Sequence, residues 1–218
     1  MGVDRLRVGT DGEGVVTLVG FFGCPLRCVY CLNPQCHRER GRLWLKRIHP
    51  PGQAGKQRLS LSGKKEMKLS PLKLYKAVKR DEVYFRMSGG GVVFGGGEPL
   101  LNSRYIKKFA RFAAGRWKIR VETSLNVEHR HMERLIGVVD EWIIDIKDAN
   151  PEIYKRYTGK DNRQVLDNCK KLSEMVSREK IHIRIPRIPD YNTEKDVEKS
   201  VRLFEKYGRT EVFSYILK

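Results

Sequence analysis

Three of the chain's five cysteines, Cys24, Cys28 and Cys31, fall within eight residues in a C-x3-C-x2-C spacing. The thiolate is the form of cysteine that ligates metal, and a disulfide framework spreads its bridges through a small chain, so this bunching points to a metal or an iron–sulfur group. Three thiolates can hold three irons of a cubane and leave the fourth open to a substrate or cofactor, whereas full protein ligation takes four. The competing reading is zinc, with Cys36 or His37 as fourth ligand, although zinc sites more often pair two ligands close together and two distant. Further along, Gly95, Gly96, Gly97 and Glu98 follow an apolar run. Glycines there let the backbone approach a ligand closely, and Glu98 supplies the only fixed charge.

The elements that must position these residues follow from composition and periodicity. The chain has 218 residues and a formal charge of +18. Between His37 and Arg80 lie fourteen Lys or Arg against two acids, Glu39 and Glu66. Such a stretch is either a solvated insert or a surface for an acidic partner, protein or nucleic acid. Few aromatics are interleaved with it, so nucleic acid is left open as a partner without being favoured. No apolar run approaches a membrane span, and the N-terminus has no apolar signal region. A cytoplasmic protein without a membrane partner is expected.

Short runs rich in Val, Ile and Phe read as buried strands at 15–21, 91–94, 118–123, 142–146, 182–185 and 211–217. Between them, Ser70-Pro71 opens a helix whose apolar face is read as Leu72, Tyr75 and Val78, and further helices fit 102–114, 128–137, 163–177 and 193–207. Asn192 or Thr193 caps the last, and Gly208 ends it. Cys169, near Leu166 and Leu172, reads as core. The alternation predicts an α/β fold with a parallel sheet and outer crossover helices, an open sheet or a partial (β/α)6 barrel truncated after the sixth strand, with its ligand site beyond the C-terminal strand ends. One domain covers 1–218, with a basic irregular excursion at about 38–68.

The cysteine spacing resembles that of the radical S-adenosylmethionine (SAM) superfamily. "GCPLRCVYCLNPQ" is similar to the cluster loop of the glycyl-radical-enzyme activating enzymes, typified by the activating enzyme of pyruvate formate-lyase. "SGGGVVFGGGEPLL", "VETS", "DIKDANPEIYKRYTG" and "IRIPRIPDYN" agree in order, so the resemblance covers nearly the whole chain. It implies one 4Fe-4S cluster on Cys24, Cys28 and Cys31, whose open iron binds the amino and carboxylate groups of SAM, and a 5′-deoxyadenosyl radical that takes hydrogen from a glycine of a partner glycyl radical enzyme. It further implies a flavodoxin or ferredoxin as reductant.

By the same resemblance, Tyr30 lies against the adenine, Asn33 helps hold SAM, and Gly96, Gly97 and Glu98 meet its ammonium. Lys147 meets the carboxylate, and Arg184, or else Arg187, the carboxylate or ribose. Glu122, Thr123 and Asp145 match positions that bind a monovalent cation in some relatives. Serine is frequent in the family where Gly95 stands, a change expected to matter little.

Many family members carry a cysteine-rich ferredoxin-like insert after the cluster loop. Here that interval is basic and cysteine-free after Cys36, so a short, single-cluster form with Cys36 as a free thiol is expected. The family usually continues beyond "FSYILK", which leaves open a radical SAM enzyme acting on another substrate, RNA or a small molecule. A zinc-stabilised nucleic-acid-binding protein is the reading from another class.

Overall fold

Each of the six predicted strands forms, and the burial pattern within them shows why. In the computed structural model, which describes residues 2–9, 11–37, 69–113 and 115–215, they are β2 (Val15–Phe21), β3 (Gly91–Gly96), β4 (Lys118–Thr123), β5 (Glu141–Asp145), β6 (Ile181–Arg187) and β7 (Arg209–Ser214). All six run parallel in sequence order. The excursion expected at about 38–68 lies outside the described residues.

A seventh strand, β1 (Val3–Val8), pairs antiparallel with β2 at the edge. The sequence reading lacked it for a physical reason. Leu6 has φ +55° and the register shifts between Asp4 and Arg7, so a bulge interrupts the period-2 pattern by which a strand is recognised. Among the described residues no ladder joins β7 to β1, and the sheet is an open partial barrel.

Alternate residues face opposite sides of the sheet. Val92 and Phe94, Ile119 and Val121, Trp142 and Ile144, and Ile181, Ile183 and Ile185 enter the hydrophobic core beneath the helices. Each large side chain fully buried there contributes roughly 2 kcal/mol. The alternating positions on the other face carry Glu122, Asp145 and Arg184, all of which line a cavity.

The helices are α1 (Pro71–Lys79), α2 (Glu82–Ser88), α3 (Ser103–Ala113), α4 (His129–Glu133), α5 (Pro151–Thr158), α6 (Arg163–Met175) and α7 (Glu194–Phe204). Ser70 caps α1 by accepting from Lys73 N, with Pro71 in the first turn. Its buried residues are Leu74 and Val78, four apart, while Leu72 of the predicted face is 41% exposed. Thr193 caps α7 in a reciprocal box with Asp196; Asn192 instead donates to Pro186 O and Asp148.

Gly208 does not end α7. It packs so tightly on β6 that a Cβ there would lie 2.5 Å from Ile181 O. Cys169 is in the core, as expected. α2 and α5 were not anticipated. No helix among the described residues is long and apolar enough to cross a membrane.

Candidate functional site

The cluster loop leaves β2 at Phe21 and is held from three sides. Gly23 N donates to Cys36 O at 2.7 Å, and Glu98 N donates to Gly23 O at 2.7 Å. The C-terminal turn of α5 takes the far side, with Arg27 N bonded to Thr158 O at 2.8 Å and Val29 N to Tyr157 O at 3.1 Å. Helix ends leave carbonyls without intrahelical partners, so α5 supplies acceptors to this loop. Arg27 also donates to Cys24 O at 2.8 Å, and Leu26 is buried beneath.

The second strap follows β3. Gly97 N donates to Phe21 O at 2.9 Å. A Cβ on Gly97 would sit 2.4 Å from Gly23 O, so only glycine permits this approach of the two loops. Gly95 matters more than expected. A Cβ there would lie 2.9 Å from Glu122 Oε2, and the glycine makes room for the longer acid at 122. The glycines before them are structural: at Gly90 and Gly91 a Cβ would collide with the backbones of Val15 and Lys118.

These straps and the ends of β4, β5 and β6 enclose one cavity of about 380 Å³, within the range of small-molecule sites. Thirteen site residues named from the sequence line it: Cys24, Cys28 and Cys31 with Tyr30 and Asn33; Gly96, Gly97 and Glu98; Glu122, Thr123 and Asp145; and Lys147 and Arg184. Arg187 does not; it is turned outward to Glu194, with Nε 2.6 Å from Oε1. Cys36 is buried outside the cavity lining.

The three cavity cysteines are half-buried and not disulfide-bonded. Burial pushes the Cys24 thiol up to about 12 and raises Cys28, so a metal's positive charge is what would hold them as thiolates. Among the described residues, no three His, Cys, Asp or Glu side chains converge as ligands of one ion would. A cubane presents its irons at separate corners, and three thiols lining one cavity offer ligands to three of them. His129 and His131 are likewise apart, the first against Asn168 and the second near Ser103.

Glu98 is fully buried, and its carboxylate is already occupied. Oε1 accepts from Thr123 Oγ1 at 2.6 Å and Leu100 N at 3.1 Å. Oε2 accepts from Ser124 Oγ at 2.7 Å and Ser124 N at 3.0 Å. A carboxylate has about four acceptor positions, and all are filled from within the protein. Burial raises the Glu98 carboxyl, and these bonds oppose the rise. The side chain ties the end of β3 to the end of β4.

Arg184 stands between the two acids expected at a cation site. Its Nε donates to Asp145 Oδ1 at 2.7 Å and its Nη2 pairs with Glu122. Asp145 and Arg184 are direct partners across β5 and β6. A buried guanidinium needs anions, and these two satisfy it, so its burial alone does not call for an anionic ligand. Lys147 Nζ lies 3.3 Å from Asp145 Oδ2. Burial disfavours the ammonium, but Asp145 together with Tyr215, Cys28 and Tyr157 outweighs it and raises Lys147 above the usual range. Burial also works against the Asp145 carboxylate, and the charges of Lys147 and Arg184 hold its carboxyl below the usual range.

Tyr30 sits among aromatic rings, with Tyr191, Tyr157 and Tyr215 centred 6.0, 6.2 and 6.5 Å away, and its hydroxyl is 3.2 Å from Asp190 Oδ2. Asn33 Nδ2 reaches Gly96 O at 3.4 Å, joining the two straps.

Sequence reasoning missed Arg7, Asp11, Ser124, Phe213 and Tyr215 in the lining. Asp11 and Arg7, which pair at 2.5 Å, come from the β1–β2 hairpin.

The family model described as Radical SAM superfamily matches residues 18–204. The (2S)-3-sulfopropanediol dehydratase activating enzyme of Klebsiella oxytoca is 30% identical over 84% of this chain and 69% of its own. The pyruvate formate-lyase-activating enzyme of Staphylococcus aureus is 30% identical over 85% of this chain and 67% of its own. In fold alone, the chain is similar to SuiB of Streptococcus suis, with a TM-score of 0.62 at 13% identity over 92% of this chain and 40% of SuiB. It is similar to TYW1 at a TM-score of 0.58 and 17% identity, over 93% of this chain and 65% of TYW1. The chain belongs to the radical SAM superfamily of enzymes and, within it, to the activating enzymes that these two relatives represent.

Proposed function

We propose that the chain cleaves SAM reductively at a 4Fe-4S cluster held by Cys24, Cys28 and Cys31, and that the radical so formed takes hydrogen from a glycine of a partner glycyl radical enzyme. The observation that carries this reading is the gathering of three thiols and the ends of β3 to β6 around one cavity, with Cys36 outside it. When bound, the cluster supplies one electron to SAM, and methionine and a 5′-deoxyadenosyl radical result.

The chain's own residues bind and orient. Lys147, kept protonated by Asp145 and the other groups around it, faces the cofactor's carboxylate. Tyr30 and Tyr215 form the aromatic wall on the adenine side. Gly96 and Gly97 allow the cofactor close to the backbone. Glu122, Thr123 and Asp145 remain the candidates for a monovalent cation, reached by displacement of Arg184. A flavodoxin or ferredoxin supplies the electron in the cell.

The test is electron paramagnetic resonance of each glycyl radical enzyme from the same genome after anaerobic incubation with this protein, SAM and dithionite. One of them should acquire a glycyl radical. If 5′-deoxyadenosine forms and no partner gains the signal, the radical attacks another substrate.

A further inference from the structure

We propose that Asn168, on α6 and outside the cavity lining, is a positioning residue for the cofactor site, acting through a left-handed turn at Leu125. The proposal rests on the reading of the cavity as the SAM site. Leu125 follows β4 with φ +54° and is fully buried. A leucine in this region is strained, and such a conformation persists only where its surroundings over-determine it. Asn168 is the group that does so. It is itself fully buried. Its Nδ2 donates to Leu125 O at 2.7 Å and to Val127 O at 2.8 Å, and its Oδ1 lies against His129 Nδ1. Two donors on one nitrogen and an acceptor beside them are what a primary amide offers and an aspartate or leucine does not.

The turn has a direct consequence for the site. Leu125 N donates to Thr123 Oγ1 at 3.0 Å, which turns that hydroxyl's proton towards Glu98. Ser124, between them, gives both its N–H and its hydroxyl to Glu98. Glu98 N then holds Gly23, next to Cys24. If Leu125 relaxed to an ordinary backbone region, the Ser124 N–H would swing away and the carboxylate would lose its fixed donors. A chain of hydrogen bonds thus runs from α6 to the cluster loop, and Asn168 is its far end.

The test compares N168D and N168L with C169A, a change to the next residue of the same helix, whose side chain is core alone. Iron content, melting temperature and SAM dissociation constant are measured on the reconstituted proteins. N168D and N168L should keep their iron and bind SAM about tenfold more weakly or worse, the usual scale for residues that orient a first layer of ligands. C169A should lower the melting temperature and leave SAM affinity unchanged. If the Asn168 variants lose stability as C169A does but bind SAM within about twofold of wild type, Asn168 is a packing residue and the proposal fails. N168D preserves volume and carries the test if N168L does not fold. Wild type that holds iron and does not bind SAM would overturn the cavity assignment, and this role with it.

Discussion

Cys28→Ala is expected to yield a colourless protein that holds little iron and does not cleave SAM, while Cys36→Ala stays brown and active. Two thiolates cannot hold the cubane that three hold, so the first substitution removes the group on which the chemistry depends. The second removes a thiol that does not line the cavity. What residue 36 contributes to the loop is its carbonyl, which accepts from Gly23 N at 2.7 Å, and alanine keeps that carbonyl. Iron content and the visible absorbance of anaerobically purified variants decide the matter. Loss of iron from Cys36→Ala would mean that four thiolates ligate the cluster.

Glu98→Gln should damage the protein even without SAM. The glutamine amide must replace one of the two oxygens, and each faces a fixed backbone donor, Leu100 N on one and Ser124 N on the other. Either way a buried N–H meets an NH2 group, at a cost of about 1–3 kcal/mol. For a chain of this size that corresponds to a fall in melting temperature of roughly 2–12 °C. SAM affinity should fall as well, because the side-chain bonds that glutamine disturbs fix residue 98, whose N–H holds the cluster loop through Gly23. Thermal unfolding of the cofactor-free protein separates the two roles. An unchanged melting temperature with weaker SAM binding would show that Glu98 serves as a direct ligand and not as a tie between β3 and β4.

Much of the site was legible because its chemistry is local in sequence. The three cysteines share one loop, Gly96 ends a strand, and Gly97, Glu98 and Lys147 each follow a strand that its apolar run reveals. What was not legible depends on pairing across the fold. Asn168 reads as a polar residue on an amphipathic helix until α6 is laid against the β4 turn. The saturation of Glu98 needs donors from position 100 and from 123 and 124 at once. The partners of Arg184 appear only when β4, β5 and β6 are in register.

The missed elements have equally specific causes. β1 is broken by the bulge at Leu6. α2 buries only Phe85 and so shows no apolar stripe. α5 carried full boundary signals, with Asn150 as cap, Pro151 in the first turn and the left-handed Gly159 after the last. The helix serves to hold the cluster loop.

The central claim is that three thiolates leave one iron of the cluster open to SAM. Electron–nuclear double resonance of the reduced, cluster-loaded protein with SAM labelled at its amino nitrogen or carboxylate oxygens tests it most directly. The account predicts hyperfine coupling between the label and the cluster, retained in Cys36→Ala. An intact reduced cluster with SAM bound and no coupling would contradict it.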